Sequence, residues 1–279
     1  LSAASEEKKK EILPSIANGE LILSLALTEP SATYEAMGIS TEAVADQEDY
    51  LINGIKLFIH DAQVSHYFLC ATRTKTDGPP EEGVTLFLVD AKSPGIKITP
   101  LSTISDDKQN EVVFENVRVP TENRIGPLNQ GFPIIKEMLK YAAVAKCAEM
   151  IGGADWVVEN CTAYAKERVQ YGKPIGSYGI IQSHLAEMWT ETGIAKRFTY
   201  FTAWLLDQNL PCDKEVAMAK SFVSEVYRHW TRMGVQVFGG IGTTREHDMG
   251  LYYRRARQSA LLFGDADTLR EKVAQEMGL

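Results

Sequence analysis

Three short blocks of this chain carry residues that could do chemistry. In Gln236-Val237-Phe238-Gly239-Gly240-Ile241-Gly242 the missing Cβ atoms would let backbone N–H groups approach a pyrophosphate closely. The block follows a helical pattern instead of a strand, so the Rossmann context fails, and a glycine cap joining two helices is the plainer reading. In Glu167-Arg168-Val169-Gln170-Tyr171-Gly172-Lys173-Pro174-Ile175, the Arg168 guanidinium has a fork that pairs phosphate oxygens bidentately. Alone, it would read as a solvated charge at a helix end. Ala26-Leu27-Thr28-Glu29-Pro30 presents a threonine hydroxyl where a strand-end turn is otherwise expected. Asp265 is either a carboxylate for proton transfer or the N-cap of a final helix with Asp267 in its first turn. His60 is a hydrogen-bond donor or a satisfied strand histidine, while His66, His184, His229 and His247 lack ligand spacing and read as structural.

The elements that must position these residues fall into two stretches. Ser5, followed by Glu6 and Glu7, starts a short helix that Pro14 is expected to end. From about residue 22 to 125 the pattern is β. Tyr67–Thr72 and Val84–Val89 are β-branched and aromatic runs, Ile96–Ile98 and Glu111–Phe114 alternate, and Asn53-Gly54 reads as a turn at a strand end. After Gly131 the period becomes helical, with Ile134, Ile135, Met138, Leu139 and Ala142 on one face. Further helices are expected over about 178–208, 213–238 and 246–276, which with short connections imply an antiparallel bundle.

Composition narrows the function. The 279 residues are 44% hydrophobic, enough for a real core. A net charge of −8 argues against nucleic acid or an anionic membrane as the main partner, so an anionic ligand would need a local basic site. Cys70, Cys147, Cys161 and Cys212 are scattered without a CxxC, which fits reduced thiols in a cytoplasmic protein and no metal centre. No apolar run is long enough for a membrane span. The chain begins at Leu1 with residues that read as the middle of a protein, and it is expected to be a fragment or processed product.

Taken together and in this order, the three blocks resemble the acyl-CoA dehydrogenase family of flavoenzymes, over essentially the whole chain. The resemblance implies an α+β multidomain protein: an antiparallel β-barrel or sandwich domain followed by a four-helix up-down bundle. It divides the chain into a remnant of a helical domain (1–24), a middle β domain (25–130) and the bundle (131–279). It implies FAD as cofactor, with Thr28 bonding the flavin ring and Gln236 and Gly240 near the pyrophosphate. Arg168, beside Tyr171 where the family has Phe, would reach the pyrophosphate of a neighbouring subunit's FAD. Phe58 and His60 stand where the family usually has Trp and Thr; Phe58 can still cover a ring face. The stretch after Thr28-Glu29-Pro30, Ser31-Ala32-Thr33-Tyr34-Glu35, lacks the usual glycines.

Family chemistry removes an α-proton from an acyl-CoA thioester and passes a β-hydride to flavin, which calls for a positioned carboxylate. The two positions that usually supply it fall on Phe263 and Ala142. Three readings follow. Asp265 is a displaced base in an enzyme oxidising the CH–CH group of an acyl-CoA; the chain binds FAD but reacts differently, as an oxidase or monooxygenase; or it is a non-catalytic subunit of a hetero-oligomeric acyl-CoA dehydrogenase. The resemblance further implies an electron-transfer flavoprotein as acceptor, assembly as a homodimer or homotetramer, and little activity for the chain as given.

Overall fold

Ser5 opens α1 (Glu6–Ala17): its hydroxyl accepts from the Lys8 N–H at 3.3 Å, and Glu6 and Glu7 occupy the first turn, where the helix end favours carboxylates. Pro14 does not end this helix. The α1 segment contains no buried residue, so a carbonyl left without a donor by the proline can meet water, and Asn18 N–H still bonds Pro14 O at 2.9 Å. The computed structural model describes residues 3–279. The chain divides into two units between Met138 and Leu139.

The first unit is built on one eight-stranded sheet. Its strands are β1 (Leu23–Ala26), β2 (Glu42–Asp46), β3 (Asp49–His60), β4 (Tyr67–Arg73), β5 (Val84–Asp90), β6 (Ile96–Leu101), β7 (Gln109–Pro120) and β8 (Arg124–Ile125). The order is β6-β7-β3-β2-β4-β5-β8, with β1 beside β4. The sheet is mixed and does not close into a barrel. β1 runs parallel to β4, Leu23 opposite Tyr67, and β2 meets β4 in parallel at Glu42 and Arg73. The Asn-Gly pair does not turn the chain either. Asn53 and Gly54 lie inside β3 at a bulge, where a Cβ on Gly54 would stand 2.5 Å from Thr41 Oγ1. The reversal between β2 and β3 falls instead at Gln47, whose φ is 59°. Alternate residues turn Ile52, Phe68, Cys70, Phe87, Val112 and Phe114 into one apolar core, each contributing on the order of 2 kcal/mol by leaving water.

The second unit is helical. It comprises most of α2 (Gly131–Glu167), with α3 (Gly179–Asp207), α4 (Asp213–Phe238), α5 (Met249–Leu261) and α6 (Ala266–Glu276). The last expected helix is therefore two. Phe263 and Gly264 have φ of 61° and 110°, which no right-handed helix accommodates, and Asp265 caps the restart. Met150, Val157 and Cys161 of α2 pack with Met188 of α3, Val223, Tyr227 and Trp230 of α4, and Ala256 of α5. All four cysteines are buried and none is in a disulfide.

Candidate functional site

In the first unit the Thr28 segment is fixed by a buried pair of charges. Glu29 is 2% exposed and Lys56 is 0% exposed, and they pair at 2.7 Å. The carboxylate also accepts from Ser40 N–H at 2.9 Å, the Ser40 hydroxyl at 2.5 Å and Thr41 N–H at 3.0 Å, while Lys56 Nζ donates to Leu27 O at 3.2 Å. Burial pushes the Glu29 carboxyl up, but the Lys56 charge and these hydrogen bonds outweigh it and hold the group below its ordinary value. Thr28 lies between the two tethered residues, and its carbonyl accepts from Leu57 N–H at 2.8 Å.

Just past Lys56, β3 slips register against β7, and within the slip Phe58 has φ of 58°. A bulky residue in the left-handed region costs on the order of 1–2 kcal/mol, and such strain clusters at functional sites. Phe58 is 45% exposed, so its ring is offered outward and not into the core. The structure thus brings Thr28 and Phe58 together. His60, further along β3, has Nδ1 3.6 Å from Asp107 Oδ2, too long for a hydrogen bond. That carboxylate is held by the Thr103 and Ser105 hydroxyls and by Gln109 Nε2. The stretch after Pro30 is held by Ala32 N–H to Glu29 O, the Ser31 hydroxyl to Gly38 O and Glu35 N–H to the Thr33 hydroxyl. The segment that follows it is held by Arg73, whose guanidinium donates to the carbonyls of Ala36, Ile39 and Pro80.

In the second unit Arg168 ends α2 and opens a two-residue hairpin, β9 (Val169–Gln170) with β10 (Lys173–Pro174). The turn uses Tyr171 at φ 52° and Gly172 at φ 82°, leaving the Tyr171 ring 94% exposed. Tyr164, one turn before Arg168, packs on Phe238 with the rings tilted by 37° and their centroids 4.7 Å apart, and its hydroxyl donates to Phe238 O at 3.4 Å. The end of α2 and the end of α4 therefore lie together, so Arg168 and Tyr171 share one end of the helical unit with Gln236 and Gly240.

The three glycines of the block separate by role. Gly239, at φ 67°, is the cap of α4, its N–H bonding Val235 O. A Cβ on Gly242 would stand 2.8 Å from Phe238 Cβ, so packing demands that glycine. Gly240 is exposed, its φ lies outside the left-handed region, and a Cβ there would meet nothing in the chain. Neither conformation nor packing asks for its glycine, which leaves open backbone at the end of the helical unit that also carries the exposed Arg168. This fits a phosphate-bearing cofactor.

The Asp265 carboxylate is occupied. It accepts from Asp267 N–H at 3.0 Å, Thr268 N–H at 3.1 Å and the Thr268 hydroxyl at 2.7 Å. The Thr268 side-chain and backbone bonds lead in holding it below the ordinary carboxylate value, which leaves little basicity; the geometry therefore speaks against a displaced base here. Phe263 packs against the apolar cluster of Ala143, Val144, Leu206, Cys212 and Val216.

One residue here went unread in the sequence. Lys220 of α4 is fully buried and donates to Ser224 Oγ at 3.0 Å, Ser259 O at 3.1 Å, and Ala260 O and Gly264 O at 3.2 Å each. It fastens the end of α5 to the loop carrying Phe263. Burial lowers its pKa to about 8. The signal was position: Val216, Lys220, Val223 and Tyr227 form one buried stripe of α4. Among the described residues no group of His, Cys, Asp or Glu could hold a metal, and no helix is long and apolar enough to cross a membrane.

Comparison with known proteins gives matches along nearly the whole chain. Residues 24–117 match the family model "Acyl-CoA dehydrogenase, middle domain", and residues 129–278 match "Acyl-CoA dehydrogenase, C-terminal domain". The chain is 32% identical over 276 residues to the probable acyl-CoA dehydrogenase YngJ of Bacillus subtilis, covering 98% of this chain and 73% of that protein. It is 33% identical over 260 residues to the caffeyl-CoA reductase-Etf complex subunit CarC of Acetobacterium woodii, covering 92% and 68%. The crystal structure of an acyl-CoA dehydrogenase from Geobacillus kaustophilus superposes with a TM-score of 0.95 at 28% identity, over 99% of this chain and 73% of that one.

Proposed function

Because this chain belongs to the acyl-CoA dehydrogenase family of flavoprotein oxidoreductases, we propose that it binds FAD and contributes to an acyl-CoA dehydrogenase-type assembly without itself removing the α-proton. FAD, when bound, supplies the hydride acceptor for oxidation at the Cα–Cβ bond of an acyl thioester. Arg168 would pair by charge with the pyrophosphate of a neighbouring subunit's FAD, while Gln236 and the open backbone of Gly240 would lie near a pyrophosphate. Thr28 would bond the flavin ring, Phe58 would cover a ring face, and His60 would stand near the ring as a hydrogen-bond donor. Tyr171 takes the place of an aromatic neighbour of Arg168.

What supports the reading is that the two usual positions hold Phe263 and Ala142 and that Asp265 is taken up by its cap. Phe263 is seated on an apolar cluster that includes Ala143 and Val144, and Asp265 is committed to capping α6. Acting as a displaced base, Asp265 would have to release three hydrogen bonds and would still begin from a lowered pKa. The proposed partners are an acyl-CoA, another copy or a related subunit that completes the site, and an electron-transfer flavoprotein. The last is in keeping with the relative CarC, named as a subunit of an Etf complex.

The test is to titrate the protein with FAD, then to follow α-hydrogen exchange of acyl-CoAs in D2O and reduction of an artificial acceptor. FAD binding without exchange or turnover, and exchange gained in Phe263→Glu, is the expected result. Turnover by the parent that vanishes in Asp265→Asn would overturn it.

A further inference from the structure

Within that proposed reading, we infer that the buried Glu29–Lys56 ion pair is a positioning device that fixes the flavin-facing platform of Thr28 and Phe58. The two residues are separated by 27 positions, and nothing in the sequence pairs them.

Three segments converge on the pair. Lys56 Nζ holds the carbonyl of Leu27, and Glu29 holds the N–H groups of Ser40 and Thr41. Thr28 is thus clamped on both sides, while its own carbonyl takes Leu57 N–H, the amide next to Lys56. On β3, Lys56 is the last residue in register with β7, opposite Val112, before the slip that turns Phe58 outward. A left-handed phenylalanine persists only where its surroundings over-determine it. The clamp supplies that constraint on one side, and the pairing of Ile59 with Asn110 and His60 with Gln109 supplies it on the other.

An apolar pair of similar volume would often stabilise a core as well as a buried ion pair does. Such a pair, however, could not hold the Leu27 carbonyl or the Ser40 and Thr41 amides. What the charges add is the placing of backbone, and that backbone bears the two residues meant to meet the cofactor. Glu29 and Lys56 touch neither substrate nor cofactor in this scheme; they act through Thr28 and Phe58.

The decisive variant is the double replacement Glu29→Leu with Lys56→Met, compared with Lys56→Met alone and with the conservative Glu29→Gln. Three quantities are read: the urea midpoint, the exchange of the Leu57 amide, and FAD affinity with the shape of the bound flavin's visible absorption band. The double variant should regain most of the midpoint lost in Lys56→Met. Its Leu57 amide should nevertheless exchange at least about tenfold faster than in the parent, with a similar loss of FAD affinity and an altered band, as expected when charge-assisted bonds are lost. A purely structural pair would recover stability and cofactor properties together. Parent-like Leu57 protection and parent-like FAD binding in the double variant would overturn the inference. If the double variant does not fold, Glu29→Gln decides by the same readouts, because it keeps shape and loses the charge. If the parent binds no FAD, the proposed function fails, and Leu57 exchange still decides whether the pair fixes the platform.

Discussion

Replacing Lys220 by methionine should remove a pH dependence of stability whose direction is opposite to that contributed by the buried thiols. The Lys220 ammonium donates to three carbonyls and a hydroxyl, and none of these bonds goes to a carboxylate. Its pKa falls to about 8 from the 10.5 of a free lysine, burial being the largest cause. Between those values the unfolded chain holds a proton that the folded chain has released, so stability rises with pH across that window. The gap corresponds to about 3 kcal/mol. Below pH 8 both states carry the proton, and the full cost of burying the charge is present. Cys147 and Cys161, pushed up to about 12 by burial, and Cys70, pushed up to about 11, act the other way above pH 9: their unfolded thiols ionise first. The parent's own profile therefore mixes the two signs, and the difference between parent and Lys220→Met isolates the lysine. Urea unfolding at half-unit steps from pH 7 to 10.5 is the assay. The parent should gain about 3 kcal/mol relative to the variant between pH 8 and 10.5, on top of a constant term for the lost hydrogen bonds. A difference that stays flat across that range would refute the reasoning, because it would mean that the carbonyls keep the ammonium as stable as water does.

Four further variants test the second unit. Asp265→Ala should lower stability by about 1 kcal/mol through loss of the α6 cap. Asp265→Asn, which can still cap, should leave stability and FAD binding near the parent's, both read by chemical melts and flavin fluorescence. Gly240→Ala should leave the melting midpoint unchanged, since nothing in the chain lies within 4 Å of the new Cβ, and should weaken FAD binding in a fluorescence titration. Gly242→Ala should instead cost on the order of 1–3 kcal/mol, because its Cβ would press on Phe238.

Local rules carried most of the helices. The periodicities expected over 178–208 and 213–238 match α3 and α4 to within a residue at each end, and Ser5 caps α1 as its neighbours suggest. What was hidden depended on partners far away in sequence. The parallel run of β1 beside β4 cannot be read from alternation, which reports which face a residue takes and not which strand lies alongside. Asn53-Gly54 carries turn chemistry, yet long pairing with β7 absorbs it as a bulge. Pro14 breaks only one hydrogen bond, and solvent at an exposed helix tolerates that loss. The buried charges did leave a trace. Lys56 has the same parity as Ile52 on β3, so strict alternation points it into the core. The family blocks named Arg168 and Gly240, but only atomic packing separated Gly240, free of neighbours, from Gly242, which is crowded.

The buried cysteines have a practical consequence for spectroscopy. Thiols held at about 11 and 12 are almost entirely protonated at neutral pH, and the protonated form reacts poorly with maleimides. Cys212, also buried, is shielded from bulky reagents. The native protein should therefore take up a fluorescent maleimide slowly. A single cysteine introduced in place of Tyr171, whose side chain stands in solvent at the hairpin beside Arg168, would become the dominant labelling site without removal of any native thiol. A dye there would be positioned to lose emission when a flavin arrives, so ligand arrival at this end of the helices could be timed by stopped flow.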